Sequence, residues 1–131
     1  MKGLFLNLGG LANSPTRLAF KNFIKTHKSD FVLLAEPWMD FSKFPINWLH
    51  GLGLKLFALN NRQHLLPNLR CICKINHNPT ILSITNQHVS FSLTNNHLTF
   101  GISDVYASTS SLSRRDLWND LHFIQSQYNI P

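Results

Sequence analysis

Phe31-Val32-Leu33-Leu34-Ala35, bounded by Asp30 on one side and Glu36-Pro37 on the other, is the longest purely apolar run in this chain. A run of that length without polar alternation fits a β-strand covered on both faces. Such a strand needs a layer on either side, and the rest of the chain has to supply both. Upstream, Leu4 to Leu8 reads as a second strand, ended by the turn signal Gly9-Gly10. Ser14-Pro15 reads as an N-cap and first helical position, where the missing proline N–H costs nothing. The helix it opens runs to Lys28. Phe20, Phe23, Ile24 and His27 recur at i, i+3, i+4 and i+7 as a packed face, and Arg17, Lys21, Lys25 and Lys28 form a separate basic stripe.

Downstream, Trp38 to His50 holds Pro45 and mixed spacing, which predicts a loop with a short helix over Asn47 to His50. Strands follow at Lys55–Leu59, Leu69–Ile75, Thr80–Thr85 and Val89–Leu93, separated by clusters of Asn, Pro and His that serve as turns. His97 to Ala107 is a fifth, long strand of this group, with Leu98, Phe100, Ile102, Asp104 and Tyr106 on one parity. Ser113 and Asp116 make a capping-box-like start to a last helix, whose apolar stripe is Leu117, Leu121, Ile124 and Tyr128. The order is β-α-β, a run of strands, then α. It predicts an α/β sandwich: strands packed on strands with helices outside.

The 131 residues make one domain's worth of chain, with no internal repeat, low-complexity segment or linker. Hydrophobic residues at 44%, with ten Phe and three Trp against 14% charged residues, exclude intrinsic disorder. No apolar run approaches the roughly 20 residues that span a bilayer, so no membrane partner is expected. Cys71 and Cys73 sit on one face of a strand and read as buried reduced thiols, which suits the nucleus or cytoplasm. Asn7 and Gly9-Gly10 interrupt the apolar start, which argues against a secretory signal. The net charge of +6 favours an anionic partner such as nucleic acid.

Most site patterns are missing. The seven histidines are scattered and read as solvated turn residues, and Cys71-x-Cys73 lacks the second thiol pair of a zinc site. There is no Gly-Lys-Ser/Thr loop and no Gly-x-Ser-x-Gly elbow, and no small-molecule cofactor is expected. What remains is polar groups at strand ends: Asn7 at the end of the first strand, Glu36 at the end of the second, and Tyr106 near the end of the long one. Strand ends of an α/β protein converge on one rim, where sites are commonly built. A lone carboxylate with an amide and a phenol suits Mg²⁺ held mostly by waters and a substrate phosphate.

At these residues the chain resembles a known superfamily. Leu6-Asn7-Leu8-Gly9-Gly10-Leu11, Phe31 to Trp38 and Val105-Tyr106-Ala107-Ser108 are similar to three segments of the endonuclease/exonuclease/phosphatase superfamily. Within it they look most like the endonuclease domain at the N-terminus of plant non-LTR (LINE-type) retrotransposon polyproteins, which also carry a reverse transcriptase. Arg114-Arg115-x-Leu117-Trp118-x-x-Leu121 is similar to that group too, so the resemblance covers essentially the whole chain. It implies a DNase-I-like four-layer α-β-β-α sandwich and Mg²⁺-dependent cleavage of DNA phosphodiesters. By that resemblance Glu36 is the Mg²⁺ ligand, Asn7 supports metal and scissile phosphate, and Tyr106 hydrogen-bonds a phosphate oxygen.

The departures are informative. Leu6 stands where the superfamily has Trp, Gly9 where a basic residue is common, and Asp104 where a small apolar residue is usual. Asp104 is thus expected either as a partly buried acid with a raised pKa or near the metal rim. The 131 residues contain neither the later Gly-Asp-x-Asn strand nor the Asp-His pair that activates water. The expectation is a single, truncated domain over residues 1–131, catalytically incomplete alone, with one sheet face uncovered and an apolar patch exposed. The competing expectation is a non-enzymatic nucleic-acid-binding module whose Arg17, Lys21, Lys25 and Lys28 contact phosphates.

Overall fold

The computed structural model describes residues 1–7, 14–35, 46–63 and 65–128. The apolar run forms strand β2 (Phe31–Ala35), flanked by β1 (Gly3–Asn7) in parallel and β4 (Leu69–Lys74) in antiparallel register. With β3 (Leu54–Leu59) the first sheet has the order β1-β2-β4-β3. The connection from β1 to β2 is helix α1 (Ser14–His27), the crossover that a parallel pair requires. A short helix α2 (Ile46–Gly51) precedes β3. A second, antiparallel sheet holds β5 (Thr80–Ile84), β6 (His88–Asn95) and β7 (Leu98–Val105), in that order. Helix α3 (Ser111–Tyr128) ends the described chain.

Side-chain alternation along β2 explains the layers. Val32 and Leu34 point to one side and pack with Phe20 of α1, Leu49 of α2, Leu54 and Ile72. Leu33 points to the other, into a core shared with Ala58, Cys71, Val89, Phe91 and Leu93. One core therefore lies between the helices and the first sheet, and the other lies between the two sheets. Each fully buried Leu, Val or Phe contributes roughly 1.5–3 kcal/mol. Phe91 anchors the second core, edge-on to Phe31 at 6.1 Å and to Phe57 at 4.9 Å. Gly3 lets β1 pass under the Phe31 ring, because a Cβ there would overlap it. Leu121 and Ile124 of α3 and Ser90, Gly101 and Ser103 of the second sheet line one cleft, so α3 lies on that sheet's outer face. The layers are α-β-β-α, as expected.

Several details differ from the sequence reading. The long strand begins at Leu98 rather than His97, because Asn96 and His97 both take positive φ, 52° and 68°. Two such residues form the tight turn whose twist matches a hairpin, here β6 to β7. The N-cap of α3 is Ser110, not Ser113. The Ser110 Oγ accepts from the Ser113 N–H, which makes Ser113 the third residue of the helix. Only Leu117 of the predicted α3 stripe is fully buried, and Tyr128 is exposed. Phe23 and His27 do not pack inward on α1; their rings stack on each other 5.9 Å apart at the surface. His88 is not a solvated turn residue but is buried in β6. The thiols of Cys71 and Cys73 are free and buried, as expected.

The first sheet is one strand wider than the second, and the excess shows at β1. Phe5 shares the parity of Leu33 in the paired strand, yet it is 55% exposed. Apolar surface is also exposed on α3, at Leu112, Trp118 and Phe123. No helix among the described residues is long and apolar enough to cross a membrane.

Candidate active site

Strand ends of both sheets meet at one end of the sandwich. Asn7, the last residue of β1, pairs in register with Ala35, the last residue of β2. Ala35 pairs with Leu69 at the start of β4. The Leu69 N–H and the Asn68 N–H both donate to the Asn60 side-chain oxygen at 3.0 Å. Asn60, 3% exposed at the end of β3, then crosses to the second sheet, where its Nδ2 donates to the Asn86 carbonyl at 2.9 Å. The neighbouring Gln87 carbonyl accepts from the Tyr106 N–H at 2.8 Å. An unbroken path of paired backbone and side-chain bonds thus leads from Asn7 to Tyr106 across one rim.

Gln87 also holds the segment after β7. Its Oε1 accepts from the Ser108 N–H at 2.8 Å, and its Nε2 donates to the Ser113 carbonyl at 2.7 Å. Arg114 reaches back from α3 to the carbonyls of Ser108 and Thr109, at 3.1 and 2.8 Å. Tyr106 is half-buried and lines an open cleft of about 310 Å³ with Asn68, Asn86, Gln87 and Ser108. Arg62, Leu65, Ala107 and Thr109 complete its walls, so amides and hydroxyls able to donate to phosphate oxygens stand beside a guanidinium.

Of the predicted site residues, Asn7 and Tyr106 are placed at this rim, for Asn7 by its backbone. Glu36 lies outside the described residues, as do Gly9, Gly10, Pro37 and Trp38. Among the described residues no cluster of three His, Cys, Asp or Glu could hold a metal. In the sequence the candidate ligands are sparse, Asn7 closing β1 and Glu36 following β2, and so few donors suit Mg²⁺, which keeps its waters and takes few protein ligands, and not zinc.

The basic stripe is not gathered at the rim. Arg17 sits over the Trp48 ring at 5.9 Å, and Lys21 is half-buried. Lys25 lies about one turn beyond Lys21 and Lys28 just past the end of α1, at the far end of the first sheet.

Sequence reasoning missed Asn60, Gln87 and Arg114, which build the rim, and Arg70 beside it. Arg70 is wholly buried on the helix side of β4, in register with Leu34, and makes contacts of its own there. The signal available for Asn60 was its place right after an apolar strand, the same signal that singled out Asn7 and Glu36. Asp104 does lie near this end, buried to 1% between the sheets. Burial pushes its pKa up to about 7, against the smaller opposing effect of the Cys71 thiol, which donates to Oδ2 at 3.6 Å. The first of its two predicted alternatives is therefore the observed one. Burial and then the Asp104 charge push the Cys71 thiol far up, so it stays protonated as the donor.

No protein-family model and no curated protein matches the chain. Solved structures do. The endonuclease domain of TRAS1, a telomere-specific non-LTR retrotransposon, superposes with a TM-score of 0.64 at 14% identity, over 95% of this chain and 54% of its own. The AP endonuclease LMAP from Leishmania major gives 0.56 at 14% identity, over 86% of this chain and 42% of its own. The 3′ phosphatase NExo from Neisseria, bound to a product DNA hairpin, gives 0.56 at 16% identity, over 90% and 48%. The chain spans about half the length of each. Its two-sheet α/β architecture is that of the DNase-I-like endonuclease fold.

Proposed function

We propose that this chain is the N-terminal part of a Mg²⁺-dependent DNA endonuclease domain of the non-LTR retrotransposon type, and that its 131 residues alone do not complete phosphodiester hydrolysis. The observation that carries the reading is the bonded path from Asn7 and Ala35 through Leu69, Asn60 and Gln87 to Tyr106. It supports a common rim for the backbone of Asn7, read as the metal side, and for Tyr106, read as the phosphate side, and Glu36 is the next residue in sequence after Ala35. The likeness to three DNA-processing enzymes of the same fold supports DNA as the partner.

In this reading Glu36 and Asn7 hold the cation, and Tyr106 donates its phenol hydrogen to a phosphate oxygen. Mg²⁺, when bound, supplies Lewis-acid polarisation of the phosphoryl group. Gln87 and Arg114 fix the Tyr106–Thr109 segment, so the phenol is offered from a backbone already ordered. In this reading the superfamily's Asp-His pair, which takes a proton from the attacking water, is not supplied by these 131 residues, and the Asp30–His77 contact lies at the far end of the first sheet. Removal of such a unit costs several orders of magnitude in rate.

Two measurements test this. With supercoiled DNA and Mg²⁺ the chain is expected to give no nicking; robust nicking abolished by Glu36→Ala overturns the incompleteness. Mn²⁺ is expected to broaden the amide resonances of Asn7, Ala35 and Tyr106, and Glu36→Gln to abolish the effect. Broadening elsewhere, or none, overturns the site.

A further inference from the structure

The far end of the first sheet is built differently from the rim. A cavity of about 550 Å³ opens there between the C-terminal turn of α1, the start of β3 and the end of β4. That is within the size range of small-ligand pockets. Its apolar walls are formed by Ile24, Leu52, Leu54 and Ile75, its charged groups are all cationic, Lys25, Lys28 and Lys74, and Ser29 and Asn76 are its neutral polar groups. Lys74 is engaged by Asp30 at 3.2 Å, whereas Lys25 and Lys28 are exposed and form no ion pair among the described residues. The Asp30 carboxylate is itself balanced, by the Lys2 N–H at 2.8 Å, by Lys74 and by His77 at 3.2 Å.

Ser29 supplies the second observation. It lines the same cavity, is 1% exposed, and its Oγ has no hydrogen-bond partner among the described residues. A buried hydroxyl without a partner is costly, and an acceptor that the Oγ meets on rotating towards the cavity would relieve it. The anion that would neutralise Lys25 and Lys28 is such an acceptor. The apolar walls cannot be satisfied by an inorganic ion, and ask for a body with a flat or aliphatic face.

We propose that this cavity binds a small phosphate monoester with an apolar or planar body, of nucleoside-monophosphate size, with the phosphate on Ser29, Lys25 and Lys28. The site uses no metal and none of the rim residues, so it stands or falls separately from the nuclease reading. Five strand residues of β2 separate the two, about 17 Å.

The test is titration of the full chain with adenosine 5′-monophosphate, followed by amide chemical shifts and calorimetry. Shifts are expected at residues 24–29, 52–54 and 74–76, with inorganic phosphate about tenfold weaker and adenosine weaker still. Lys25→Ala with Lys28→Ala is expected to weaken the nucleotide about tenfold, and Ser29→Ala severalfold, with circular dichroism unchanged. The lysines are exposed, so their variant folds even if Ser29→Ala does not. No shifts at those residues up to about 5 mM nucleotide, or equal affinity in the lysine variant, overturns the proposal. A 5′-phosphorylated oligonucleotide is expected to compete about tenfold less well; if it competes better, the ligand is a strand end and the small-molecule assignment is wrong.

Discussion

The two ends of the first sheet are built from different chemistry. At the rim, Asn60, Asn68, Asn86 and Gln87 bind strand ends to one another through neutral amides. At the far end, Asp30 gathers Lys74, His77 and the Lys2 N–H around a carboxylate. Each end carries one acid whose pKa is displaced, and the displacements have opposite sign. Asp104, behind the rim, is pushed up to about 7; Asp30 is held down at about 2. The lesson concerns environment: burial wins where the carboxylate has only a thiol for company, and partners win where cations and an N–H converge. The two ends should therefore respond to pH in opposite directions.

Asp104 should give the largest effect. Its folded pKa lies above the unfolded value of 3.8. The folded state thus holds the proton more tightly, so its contribution is full below 3.8 and is lost as pH rises towards 7. A displacement of that size corresponds to roughly 4 kcal/mol of stability lost across the window. Asp104→Asn removes the ionisation and should stabilise the chain by a few kcal/mol at pH 8 and little at pH 4, measured by urea denaturation. Taking the difference between the two proteins at each pH removes the contribution of His88, whose pKa burial lowers. An Asp104→Asn protein with the wild-type pH profile would break the contrast between the ends.

Asn60 comes next. Truncation to Ala strands the Asn86 carbonyl and the Asn68 and Leu69 N–H groups. Buried groups left unpaired cost about 1–3 kcal/mol each, so a loss of about 3 kcal/mol in total is expected, since Asn68 is partly solvated. The loss should be the same at pH 5 and pH 8, because no charge is involved. A loss under about 1 kcal/mol would mean that the amide bridge does not join the sheets.

These residues also mark what a sequence can show. The order of elements was legible, because Phe31–Ala35 and its neighbours are apolar runs separated by strong turn residues. The strand-end logic that picked Asn7, Glu36 and Tyr106 needs only those boundaries. Asn60 needed more: its partners Asn68 and Asn86 are 8 and 26 positions away, and only the stacking of two sheets brings them near. The same holds for Ser110 in place of Ser113, since 108–113 holds four serines and the bonds that choose among them run to Gln87 and Arg114. Lys25 and Lys28 were visible as a stripe on α1, but the cavity they border is closed by β3 and β4, far along the chain. Asp104 was half-legible. Its parity with Ile102 placed it on an inward face, and the thiol opposite it could not be foreseen.

The smallest effect belongs to Asp30, and it is the sharper test because its sign is reversed. Burial alone would raise its pKa, but the Lys2 N–H, then His77 and Lys74, outweigh that and hold it at about 2, below the unfolded 3.8. The charged form is therefore favoured by folding. Its contribution is full above 3.8 and is lost as pH falls towards 2, the reverse of Asp104. The carboxylate is partly open to water, with 21% of its side chain exposed, so solvent screening reduces the gain. Asp30→Asn should accordingly cost about 1 kcal/mol at pH 6, and the cost should fade by pH 2. Added salt should shrink it as well, because exposed ion pairs are screened, while the Asp104→Asn gain between the sheets should hardly move. If both variants respond to salt alike, the two ends do not differ in the way their contacts imply.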